Sequence, residues 1–139
     1  EVEVVAIEAS QFINDLLVAA EEYVKRATPV LEVVAEQFYD APTEESYLDL
    51  NDLFGGLQWL NSMIDVIEQS IARPENWDDV KEAGEPLSNV LQDFEEALND
   101  NDNVLLADLL SYEIKPVFEQ VNELVTTIID TVGERDELH

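Results

Sequence analysis

NVLLADLLSYEIKPVFEQVNELVTTII, residues 103–129, carries more apolar surface than one packing seam needs, and the fold follows from where that surface goes. Ala107, Leu110, Ile114, Val117, Val121, Leu124 and Ile128 succeed one another at alternating steps of three and four. That is the period of a helix lying along helical neighbours. A second row, Leu105, Leu109, Tyr112 and Pro116, runs along another side of the first half. One row accounts for folding; the second predicts a face for contact with something else. On this reading Leu109→Glu lowers self-association and spares helicity, whereas Leu110→Glu buries an unpaired charge and unfolds the chain.

Upstream, three more amphipathic segments can be read. The chain opens EVEVVAI, a brief strand-like alternation, and then settles into helical spacing at Val5, Ala9, Phe12, Leu16, Ala19 and Tyr23, with Ile13, Leu17, Ala20 and Val24 widening the face. Pro29 follows Thr28, and apolar spacing resumes at Val30, Leu31, Val34 and Phe38, which predicts a kink and not a loop. Thr43 followed by Glu44 and Glu45 reads as a helix start with acids at the positive end of the dipole. Leu50, Leu53, Leu57, Leu60, Ile64, Ile67 and Ile71 then form an unbroken seam around Gly55-Gly56. Asn76, with Asp79 three residues on, reads as the cap of a third helix carrying Val80, Gly84, Leu87, Leu91, Phe94 and Leu98, with Pro86 in its first turns.

These segments predict helices over about 2–39, 43–72, 77–99 and 103–134, forming one all-α domain across residues 1–139. The expected architecture is an antiparallel up-down-up-down four-helix bundle with proline-kinked long helices. The turns at Asp40–Thr43 and Asn99–Asn103 then share an end. About three turns inward from it fall Thr28-Pro29, Gly55-Gly56, Ser88-Asn89 and Lys115-Pro116. This predicts one irregular layer in which Thr28, Ser88 or Asn89 donates to carbonyls freed by proline.

Thirty-three acidic against six basic residues give a formal charge of −27. Nucleic acid and anionic membrane are excluded as partners, because both gain their affinity from Lys and Arg. The charge suits solubility, adaptation to high salt, or a basic partner. There is no cysteine, so neither a disulfide nor a thiolate metal site can form. The longest apolar run, Leu16 to Ala20, is far short of the ~20 residues of a membrane span. No signal-peptide pattern opens the chain, and Glu1 in place of methionine reads as a trimmed start.

Tests for chemistry return little. A di-metal carboxylate bundle needs Glu-x-x-His pairs, yet the only histidine is His139. Glu82 and Glu85 match the first half of a magnesium-holding Glu-x-x-Glu pattern, but no Glu-x-x-Asp follows. The run Asn99–Asn103 would need a glycine where Leu105 stands to be a calcium loop. Serine has no internal histidine to activate it. The expectation is therefore no catalytic residue, no cofactor and no resident metal. Phe12, Tyr23, Phe38, Phe94 and Phe118 read as core, and Trp77 as a plug for the end of the bundle. Trp59, with Val66 two turns along, faces outward and is either a further interaction residue or a ring lying over its own helix.

The stretch DNVLLADLLSYEIKP, Asp102 to Pro116, resembles small uncharacterised bacterial acidic helical-bundle proteins with no assigned activity. The resemblance implies a bacterial origin and a cytoplasmic location and brings no site residues with it. Two functions stay open. One is a protein-interaction module, homodimeric or gripping a partner, a basic one by preference. The other is a small-molecule or metal-ion binder with a pocket at the Gly/Pro layer.

Overall fold

The computed structural model describes residues 2–134; His139 lies outside that range. All regular structure among the described residues is helical. The first segment is α1, Val2–Tyr39, and the second is α2, Glu44–Glu68. The third divides into α3, Trp77–Gly84, and α4, Pro86–Asn99. The fourth divides into α5, Asn103–Asp108, a π turn, Leu109–Ile114, and α6, Lys115–Val132.

Local chemistry explains these bounds. Thr43 caps α2 by accepting the Ser46 N–H at 3.2 Å while Ser46 Oγ accepts the Thr43 N–H at 2.9 Å. The buried Ser46 hydroxyl then donates to Gln37 of α1 at 2.7 Å, tying the cap to the neighbouring helix. α2 stops at Glu68, four residues before the expected end, where Ser70 Oγ takes the Ala72 N–H at 3.1 Å. Arg73 bridges Glu68 (3.0 Å) and Asp78 (2.8 Å) across the turn. Ile71 consequently falls outside the seam and is exposed, while Leu50 through Ile67 are buried as expected. Asn76 does not cap α3 with its side chain; it adopts a left-handed φ of 65°, which asparagine tolerates. Pro86 lacks an N–H, so the ladder breaks between α3 and α4 although Glu85 keeps helical angles. α1 runs unbroken through Pro29.

One core joins all four segments. Its α1 row is Ile13, Leu17, Ala20, Val24, Ala27, Leu31, Val34 and Phe38. The row led by Val5 and Phe12 is the flank, which corrects the reading of Phe12 as core: it is 56 % exposed. The reason is the face: Ile13, the next residue, is buried, and in a helix of 3.6 residues per turn Phe12 points about 100° away from it. Past the end of α6, Glu134 and Asn14 exchange hydrogen bonds at 2.8 and 2.9 Å. In α6 the buried row beyond Val121 is Val125 and Ile129, with Leu124 and Ile128 half-buried beside it. A helix of 3.6 residues per turn drifts off a strict three-four alternation within two heptads.

The expected irregular layer is packed differently from its prediction. A Cβ on Gly56 would come within 2.1 Å of the Tyr23 hydroxyl, so glycine there lets that ring lie across α2. Tyr23 meets Trp59 and Phe118 edge-on at 6.1 and 5.9 Å, and Phe54 meets Phe94 at 5.8 Å. Aromatic rings fill the level of the two glycines. Thr28 donates to Val24 of its own helix at 2.7 Å and not to the Lys25 carbonyl that Pro29 leaves free, and Ser88 and Asn89 are exposed. Lys115 reaches Glu32 at 3.5 Å, one turn beyond Thr28.

Adjacent glycines thus have opposite expected responses. Gly55→Ala meets nothing within 4 Å and should stabilise by about 0.5–1 kcal/mol through helix propensity. Gly56→Ala must displace the Tyr23 ring and should destabilise by about 1–3 kcal/mol. Chemical denaturation of the two variants checks this; equal shifts would show that the close approach at Gly56 has no energetic weight.

Candidate surface at the π turn

Pro116 organises the surface. Its ring would collide with the carbonyl four residues back, that of Tyr112, in a regular helix. The chain widens instead into the π turn, and the Lys115 N–H reaches back five residues to the Leu110 carbonyl. The turn packs against both α1 and α4, so it must present apolar side chains in two directions. Leu110 and Ile114 supply one row, and Leu109, only 6 % exposed, is part of the same core. This corrects the outer row: Leu109 is a packing residue. Leu105, 39 % exposed, and Tyr112, 72 % exposed, remain outside, as does Pro116.

Two residues not anticipated from the sequence join them. The Tyr39 hydroxyl, at the end of α1, donates to the Asp108 carboxylate, which lies three residues after Leu105 and four before Tyr112. That bond holds the Tyr39 phenol above its ordinary range, with a smaller opposing effect from Ser111. Val104, next to Leu105, is also exposed. Tyr39, Val104, Leu105 and Tyr112 therefore form an apolar and aromatic strip about Asp108. Exposed large hydrophobics at the end of a helix are a signal available from sequence; their adjacency across some seventy residues is not.

Beside the strip lies an open groove of about 510 Å³ between α3–α4 and the π turn with α6. Its apolar lining comes from Pro86, Tyr112, Pro116, Val117 and Leu124, and its acids from Asp79, Glu82 and Glu113. Pro86 and Pro116, two of the three prolines that interrupt helical hydrogen bonding, thus face one concavity. Glu82, from the half-matched Glu-x-x-Glu pattern, is on its wall.

Trp59 and Val66 do not belong to this surface. Trp59 lines a separate concavity with Glu22, Tyr23, Arg26 and Gly56, its ring leaning across to α1 and not along its own helix. Burial pushes the Tyr23 hydroxyl there up to about 12, against a smaller lowering by Arg26, so it is a neutral donor, directed at the Leu53 carbonyl. Val66 is exposed on α2. Gly55 lines a third groove with Tyr47, Phe54 and Leu98. The concavities at Gly55, Gly56 and Pro116 are three separate surface grooves.

Among the described residues no three His, Asp or Glu side chains are placed to hold one metal ion, and no helix is long and apolar enough to cross a membrane. A family model described as a domain of unknown function (DUF8042) matches residues 15–124, a span that contains the strip and the groove. No curated protein and no solved structure matches the chain.

Proposed function

We propose that this chain, which belongs to the DUF8042 family of unknown function, is a non-catalytic protein-interaction module that grips a helix along the π-turn strip and groove. The observation that carries the reading is the exposure of Tyr112, Leu105 and Tyr39 side by side on a domain whose core is already complete without them. Rigid aromatic side chains lose little conformational freedom on binding and are enriched at interfaces. The π turn holds Tyr112 outward on a segment packed from two sides, so its position is set before a partner arrives.

The reading includes a topology, in which the four segments run up-down-up-down with bends at Pro29 and Pro86. Two bonds support it: Asn14 near the start of α1 meets Glu134 past the end of α6, and Tyr39 at the end of α1 meets Asp108 at the start of the last segment. A bacterial, cytoplasmic setting belongs to the same proposal. The competing role, a small-molecule or ion pocket at the Gly/Pro layer, has less support because the Tyr23 ring occupies the space above Gly56.

A second copy of the chain is one candidate occupant of the strip. Its formal charge of −27 opposes pairing at low ionic strength, and salt screens that repulsion. Light scattering should then show mass rising toward a dimer as salt is added, with Tyr112→Ser remaining monomeric and equally helical. Association that Tyr112→Ser leaves unchanged would place the contact face elsewhere.

A further inference from the structure

The groove carries its charge in an unusual distribution. Asp79 and Glu82, three apart on α3, stand on one wall; Glu113 stands on the other, with Asp108 a turn earlier in the strip. None of the four is in an ion pair with a cation among the described residues. The cations nearest to them in sequence turn away: Lys81 reaches Glu68 at 3.6 Å, Arg73 reaches Glu68 and Asp78, and Lys115 reaches Glu32 at 3.5 Å. From residue 82 to residue 114 the sequence contains no lysine or arginine at all. Nor are these carboxylates gathered closely enough for three of them to share one metal ion. Negative charge spread along two walls, with Pro86, Pro116, Val117 and Leu124 between them, is matched by several separate monovalent cations flanking an apolar stripe.

We infer that the occupant is a basic amphipathic helix of another protein, its apolar stripe on the groove floor and its lysines or arginines against Asp79, Glu82, Asp108 and Glu113. This rests on the interaction reading and adds the chemistry of the partner. A helix supplies such a pattern because residues three and four apart share a face, so one apolar stripe is bordered by two charged rows. A second copy supplies the opposite: it brings the same acids to the same walls, and each chain adds a charge of −27. At low salt the basic helix is the favoured occupant.

The test uses a fluorescent peptide of about eighteen residues, some five helical turns, with leucine along one face and lysine on both flanks. A second peptide has the same lysines with serine for leucine. Anisotropy titrations on the full chain at low salt should show the Lys/Leu peptide binding and the Lys/Ser peptide binding at least about tenfold more weakly. Leu105→Ser with Tyr112→Ser, and separately Glu82→Gln with Glu113→Gln, should each weaken the Lys/Leu peptide about tenfold. The second pair should also flatten the salt dependence. All four positions are exposed, and circular dichroism with thermal melting verifies that both double variants stay folded. Equal binding of the two peptides would reduce the effect to a general attraction to a polyanion and overturn the inference. Wild-type affinity in both variants would overturn it as well, as would no binding. If the Lys/Leu peptide fails while Tyr112→Ser still abolishes salt-induced dimers, the interaction reading stands and only the basic occupant falls.

Discussion

Leu109→Glu is expected to unfold this domain as completely as Leu110→Glu, because both side chains are buried where the π turn packs between α1 and α4. A carboxylate there has no cation within the core to pair with, and a buried unpaired charge costs about 4 kcal/mol or more. Set against a total stability of about 5–15 kcal/mol, that removes most of the folded population. Leu109→Gln, polar and uncharged, should cost less, and its cost should not vary with pH. The Glu variant should partly recover as pH falls: burial raises the folded pKa of the new carboxyl above its unfolded value, so the penalty is relieved once the group is protonated. Tyr112→Glu, three residues away but 72 % exposed, should leave the melting transition nearly in place. Thermal and urea unfolding of the set decides the matter. A folded, monomeric Leu109→Glu would restore Leu109 to the outer row and weaken the case for the π turn as a packed segment.

Trp77→Ala is the second large effect. Trp77 follows directly on the turn that Arg73 clamps, is fully buried, and donates its indole N–H to the Ile64 carbonyl at 3.2 Å. Its buried ring and that bond join α3 to α2. Truncation leaves a cavity that the surrounding helices collapse to fill only in part, and a loss of about 3–5 kcal/mol is expected. Trp77→Phe keeps most of the ring volume and loses the hydrogen bond, for about 1–2 kcal/mol. Trp59, the only other tryptophan, is partly exposed, so Trp59→Phe isolates the fluorescence of Trp77 as a reporter of core opening. A loss under about 0.5 kcal/mol for Trp77→Ala, the ordinary range of a surface change, would show that the α2–α3 junction is held by the ion pairs of Arg73 instead.

The two predictions separate residues that periodicity alone treats alike. Leu105, Leu109, Tyr112 and Pro116 fall on one face of a helix with 3.6 residues per turn, and the sequence offers no reason to remove Leu109 from the row. Pro116 does so indirectly, by widening the turn before it, and α4 completes the change by covering that side. The same limit applied at Phe12, where two adjacent apolar rows run along α1 and only the neighbouring helices decide that the row of Ile13, Leu17, Ala20 and Val24 is the one they cover. Of the candidate surface, Leu105, Tyr112 and Pro116 were legible, since apolar excess is visible in one dimension. Tyr39, Pro86 and the opposed acids Asp79 and Glu113 were not, because each enters through a neighbour distant in the chain.

By itself the amino-acid order determined that this protein is all helix, where its four segments turn, which side of α2 is buried, and that its surface is overwhelmingly acidic. These follow from spacing, caps and composition, all of them local. Tertiary packing alone decided which apolar residues of the last segment remain outside and which carboxylates confront each other across a groove. Both depend on how many neighbours cover a given turn and how far each neighbour extends, quantities set by the assembled bundle and not by any one helix in it.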